Sequence, residues 1–338
     1  MKKKNAGLFF GKAFLLLIPL LLFLGTYLYY DPFRVIHHYD NYQKNCFVAL
    51  DRDFVGTEVY LKNRKKEKYN AFIFGNSRSL SFLCGDWKQY VPGSSPFHYD
   101  GSGESLTDLK NKIKFIDEKN GNLDHALLIF DKFLLSLTDP VFGPTSEPHP
   151  SVSKTSWVSF HSTFFKSYLS EFYFIKYLDY KYNGKFKPYM KGVIETRPID
   201  YNPITNDYYL KIYDEEMEKD AKGYMQRHAD AYYPRDTVNT NYDKSVIGER
   251  QVNMLSEIMA VFKKHHTRYK VVISPPYEQT YFNKADLAKL NSIFGKENVY
   301  DFSGRNRYTR DPENYYEAFH YRPRVARDIM RRIYDSQK

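Results

Sequence analysis

Two short segments at opposite ends of this 338-residue chain hold residue types that do chemistry together. In FIFGNSRS, Ser77 follows an apolar run. In NYYEAFHYRP, Glu317 stands three residues before His320. A serine hydroxyl is a weak nucleophile and needs an adjacent base. Imidazole titrates near neutral pH and accepts that proton. A carboxylate bonded to its other nitrogen fixes the tautomer and stabilises the imidazolium. Ser77, His320 and Glu317 are therefore the candidate parts of an acyl-transfer triad. Neither segment is specific alone. A Gly-[Asp/Asn/Ser/Thr]-Ser triplet arises by chance roughly 0.3 times in a chain of this length, and an acidic residue three before a histidine about once.

The pair gains weight from the elements that must position it. YNAFIF (69–74), PFHYD (96–100), HALLIF (125–130), RYKVVIS (268–274) and ENVYDF (297–302) read as strands. Helical spacing of apolar residues marks 105–118, 249–266, 284–295 and 322–336. Strands alternating with helices predict a three-layer α/β/α domain on a five-stranded parallel sheet, of the flavodoxin-like kind, over 69–338. Such sheets bind ligands beyond the C-terminal ends of their strands. Ser77 and Arg78 follow the first strand, and Gly101 and Gly103 the second. Asp131 and Lys132 follow the third, Tyr277 the fourth and His320 the fifth. Arg78, Asp131, Lys132 and Tyr277 are read as the periphery of the site. The stretch 140–245 shows no strand alternation and is expected to be an aromatic-rich, largely helical insertion.

Residues 1–30 carry three lysines followed by an almost uncharged run from Ala13 to Tyr30. Eighteen helical residues span roughly 27 Å, close to a bilayer core. No small-residue cleavage site follows the run, which predicts an uncleaved signal anchor with the rest of the chain outside the cytoplasm. Residues 31–68 are expected to be a polar connector. Aromatics at 18% exclude a disordered chain. A net charge of +10 on an outward-facing domain argues for anionic lipid or glycopolymer rather than nucleic acid. Cys46 and Cys84 are not in metal-type spacing; they are either a disulfide or two buried thiols. No cofactor or metal site is expected.

GNSRS at the first strand end and ExxH before the last helix resemble the first and last sequence blocks of the SGNH (GDSL-like) hydrolases. The resemblance extends to membrane-anchored members of the cell envelope, the DltD-like and alginate O-acetylation proteins. It implies Ser77 as nucleophile, His320 as base and Glu317 in place of the usual Asp. It implies an oxyanion hole of Ser77 N–H, a Gly101 or Gly103 N–H and an Asn side chain after the third strand. Asp131 stands where that Asn is expected, and an ionised carboxylate offers no donor. The implied activity is that of an esterase or O-acyltransferase on an envelope polysaccharide or glycolipid, with an integral-membrane acyltransferase as partner. The other reading is an accessory protein that keeps the fold and binds such a partner or a glycan.

Overall fold

Short runs of apolar residues become the strands of one sheet, because each is bounded by polar or turn-forming residues and too short to pack as a helix. The computed structural model describes residues 2–196 and 199–335, with the side chains of residues 2–14 and 16 outside the description. In chain order the principal elements are α1 (Lys2–Tyr30), α2 (Arg52–Glu67), β1 (Ala71–Gly75), β2 (Pro96–His98), α3 (Leu106–Glu118) and β3 (His125–Phe130). There follow α4 (Trp157–Leu169), α5 (Tyr173–Asn183), α6 (Glu249–Lys264), β4 (Arg268–Ile273), α7 (Lys284–Phe294), β5 (Val299–Asp301) and α8 (Pro323–Asp335). The chain divides into two units: residues 1–50 with 155–196, and residues 51–154 with 197–338.

The larger unit is α/β. Its sheet runs β2-β1-β3-β4-β5, and every pairing is parallel. Strands buried on both faces read as continuous apolar runs. On one face Ala71, Ile73, Leu127, Ile129 and Val272 pack with Val325, Ala326, Ile329, Met330 and Ile333 of α8. Those five α8 residues recur at helical spacing and form its buried stripe. On the other face Phe72 meets Tyr60 of α2, with ring centroids 6.0 Å apart, and Phe130 meets Phe294 of α7 at 6.1 Å.

Helix α2 corrects the expectation of a polar connector over 31–68. Asp51 caps it, accepting from the N–H groups of Asp53 and Phe54, and Lys68 closes it in the left-handed region. Phe54, Val55, Val59 and Tyr60 are buried. The basic run at its C-terminal end complements the helix dipole and had disguised it as linker.

The smaller unit is helical. Tyr27 of α1 packs on Phe165 and Tyr168 of α4, with centroids 5.4 and 5.6 Å away, and Phe23 lies 4.7 Å from Phe174 of α5. The corner between α4 and α5 passes through Glu171 and Phe172, both at positive φ. The expected single insertion over 140–245 is thus divided, since 155–196 groups with the N-terminal residues. Among the described residues no helix is long and apolar enough to cross a membrane. The expected anchor over 1–30 falls partly on side chains outside the description.

Candidate active site

Strand β1 ends at Gly75, where the backbone approaches β3 closely. A Cβ there would lie 2.8 Å from the Ile129 carbonyl oxygen, so only glycine fits. The chain then turns through Asn76 into a single 3₁₀ turn, Ser77–Ser81. The Asn76 side-chain oxygen accepts from the Arg78 N–H at 3.0 Å. Its amide nitrogen donates to both oxygens of Asp131, each at 3.1 Å. The turn that presents Ser77 is thereby tied to the end of β3.

His320 does not follow β5 directly. It sits in an antiparallel hairpin of Tyr315–Glu317 with His320–Tyr321, in which Glu317 and His320 are paired residues. The hairpin is held from several sides. Ser81 Oγ donates to the Tyr321 carbonyl. The Tyr232 hydroxyl reaches the carbonyls of Tyr315 and Tyr316 at 2.9 and 2.8 Å. Arg322, fully buried, donates from Nε to Asp214 at 2.6 Å. Removing one partner of such a buried ion pair costs about 3–5 kcal/mol, because the other charge is left stranded.

These supports bring the three expected residues together. His320 Nε2 lies 2.8 Å from Ser77 Oγ, and His320 Nδ1 bonds Glu317 Oε1. Glu317 Oε2 accepts from the Phe319 N–H at 2.7 Å. A carboxylate only accepts, so Nδ1 carries the ring proton and Nε2 is free to accept from Ser77. Nothing else among the described residues bonds the Ser77 hydroxyl. The side chains of His320 and Glu317 remain 31% and 25% exposed, so the array opens to solvent.

The peripheral residues sort differently. Asp131 is not a bare acceptor facing the nucleophile. Besides Asn76, it pairs with Arg78 Nε at 2.8 Å and caps the next helical turn through the Leu134 N–H at 2.8 Å. Burial acts most strongly against the Arg78 charge, but Asp131 and Glu278, with smaller help from Tyr321 and Tyr315, together offset it and raise the guanidinium pKa. Lys132 pairs with Asp243 at 3.1 Å. Arg78, Asp131 and Lys132 line a cavity of about 330 Å³ together with Asp243, Ser274 and Glu278. Tyr277 is buried in the core against Tyr315, centroids 5.3 Å apart, and is not in that lining.

Of the two glycines, Gly101 is committed elsewhere. Its N–H donates to the Gly75 carbonyl at 3.3 Å, and a Cβ would strike Glu104 and Asp53. Gly103 has positive φ and open space about its Cα. Cys46 and Cys84 are both free thiols. Among the described residues no group of three or more His, Cys, Asp or Glu is placed to hold a metal ion.

A second array lies beside the first. Ser79 Oγ is 2.9 Å from His98 Nε2, and His98 Nδ1 is 3.3 Å from Asp207 Oδ1. Ser79 and His98 have no exposed surface. Sequence reading missed it because Asp207 is 109 residues from His98, in a stretch without periodicity. Compared with models of protein families and with curated proteins, the chain matches none.

Proposed function

We propose that the chain is an SGNH-like serine esterase or O-acyltransferase, built as a three-layer α/β/α domain. One observation carries this reading: the continuous, solvent-open relay Ser77–His320–Glu317 at the C-terminal edge of a parallel sheet. In the first half-reaction Ser77 Oγ bonds the acyl carbon as its proton passes to His320 Nε2. The carbonyl π pair moves onto oxygen, then returns as the ester C–O bond breaks, and the leaving alcohol takes the proton from His320. Glu317 stabilises the imidazolium in between. In the second half-reaction water or a sugar hydroxyl attacks the acyl-Ser77 carbonyl by the same steps. Water yields the free acid; a sugar hydroxyl yields a new ester.

The proposed substrate is an O-acyl group on an extracytoplasmic polysaccharide or glycolipid, with the domain tethered to a membrane through α1. The described apolar residues of α1 support the tether. Leu15, Leu17, Ile18, Leu20, Leu21 and Leu22 are exposed and, at 100° per residue, lie round most of the helix rather than on one stripe. A lipid environment covers such a surface; a single partner helix does not.

The second reading, an inactive accessory protein that binds a membrane acyltransferase or a glycan, is favoured by the commitment of the Gly101 N–H to Gly75. A fluorophosphonate probe separates the two. Full-length protein in detergent is expected to label once per chain, and Ser77→Ala to abolish labelling. An unlabelled native protein, with its fold verified, would leave the accessory reading standing. The full chain is needed because Thr26 and Tyr27 of α1 pack within the helical unit.

A further inference from the structure

Acyl transfer needs donors aimed at the oxygen that becomes negative. Of the three donors implied by the resemblance, one is missing and one narrowed here. Position 131 carries a carboxylate, and Gly101 N–H is bonded to Gly75, which leaves Gly103 as the glycine candidate. The carboxylate is already engaged: its oxygens accept from Asn76 Nδ2 and the Leu134 N–H, and one forms an ion pair with Arg78 Nε. Its most consequential partner is Arg78, the residue next to the nucleophile on the same turn.

We propose that the Arg78 guanidinium is a catalytic residue that stabilises the oxyanion, and that Asp131 is the positioning residue that aims it. This rests on the acyl-transfer reading of Ser77. A guanidinium presents five N–H donors in a rigid fork and is never deprotonated in proteins. Of these, Nε is pinned to Asp131, which fixes the plane of the fork. The two terminal nitrogens have no hydrogen-bond partner among the described residues, although only 15% of the side chain is exposed. The terminal nitrogens are not sealed from solvent; the side chain lines the cavity at the strand ends, where a substrate group supplies the acceptor. Lys132, the other cation in that lining, is 43% exposed and closed off by Asp243. A fixed, desolvated, permanent positive charge does what the missing amide would do, and more strongly, because charge-assisted bonds are about twice as strong as neutral ones. The donor has moved from position 131 to the partner of position 131.

The charge stays on Arg78 throughout. As Ser77 Oγ bonds the acyl carbon and His320 takes the proton, the carbonyl oxygen gains a full negative charge facing the guanidinium. Collapse of the intermediate returns that electron pair to the carbonyl. No proton leaves arginine.

The test uses full-length protein in detergent, a fluorophosphonate probe and p-nitrophenyl acetate. Arg78→Gln is expected to slow labelling and kcat by about 10²–10³-fold, with KM changed little. The midpoint of the pH–rate profile should stay in place while its height falls. A proton-relay defect would move that midpoint. Arg78→Lys should fall between, since it keeps the charge and loses the fork. If Arg78→Gln does not fold beside an unpaired Asp131, the double variant Arg78→Gln/Asp131→Ala removes both charges without placing an amide donor at position 131 and should show the same loss. A variant within threefold of the native rate, a loss confined to KM, or a shifted pH midpoint would overturn the proposal. If the native protein labels, Ser77→Ala does not and Arg78→Gln labels normally, only the Arg78 role fails. If the native protein does not label, the acyl-transfer reading fails and this inference with it.

Discussion

The turn after β1 carries three serines, and two of them, two residues apart, each meet a histidine backed by a carboxylate. Ser77–His320–Glu317 is partly exposed; in Ser79–His98–Asp207 the serine and histidine are sealed in the core and only Asp207 keeps some exposure. Distances barely separate them: the serine–histidine contacts are 2.8 and 2.9 Å. What separates them is where the serine proton goes. Ser79 donates to the Asn76 carbonyl at 2.8 Å, so its proton is directed away from His98. A hydroxyl whose proton is held by a backbone carbonyl does not deliver it to the ring. Ser77 has no such competing acceptor among the described residues, so its proton is directed to His320. Closely similar sets of residues therefore do different jobs. One array can move a proton; the other fixes the turn on which the first depends.

The largest effects should fall on the open array. Ser77→Ala is expected to lower esterase activity by about 10⁴–10⁶-fold with an unchanged melting temperature, whereas a loss below tenfold would dissolve the distinction. Glu317→Gln should cost about 10³–10⁴-fold in kcat, since an amide can stabilise the wrong tautomer. Mutation of the sealed array should instead be read in stability. Ser79→Ala leaves the buried His98 Nε2 without its partner and should cost about 1–3 kcal/mol in urea denaturation. Its rate, measured on the folded fraction, should stay within tenfold of native. A loss as deep as that of Ser77→Ala would make the sealed array catalytic.

The smallest effect concerns pH. Next to the sealed array, Asp53, Glu104 and Asp108 are buried around Lys112. Burial, reinforced by the charge of Asp53, pushes Asp108 up to about 6 from its ordinary 3.8. Its folded form then holds a proton that the unfolded chain has lost. The resulting stability is complete below about pH 4 and lost as pH rises through about 6. Asp53 and Glu104, also raised by burial, act in the same direction. Asp100 acts oppositely: burial opposes its charge most, but Arg52, His98 and Lys112 together outweigh burial and lower its pKa, so its contribution is lost at acid pH. Asp108→Asn should flatten the decline in melting temperature between pH 4 and 6 and leave the pH–rate midpoint alone. A common shift of both would mean that the two arrays titrate together.

The sheet and the open array were legible because their signals are local. Each strand is an apolar run, helix α8 has a stripe of the right period, and GNS and ExxH lie within single turns. Helix α2 was hidden because its last turns are all charge while its apolar residues crowd the first. The sealed array was hidden because it joins residues 79, 98 and 207, whose meeting depends on tertiary packing. Asp131 was legible as a departure but not in its meaning: a carboxylate at that position looks hostile to an oxyanion until Asn76 and Arg78 are seen to share it.

The base and the nucleophile lie 243 residues apart in the chain, and the hairpin carrying His320 is pinned to the nucleophile's turn through Ser81 and Tyr321. A ribosome making this chain releases Ser77 well before His320. Until His320 has followed and the hairpin has docked, the Ser77 hydroxyl lacks the ring nitrogen that takes its proton in the fold. The order of residues along the chain thus acts as a timer, joining the two halves of the array only after the intervening residues have been made.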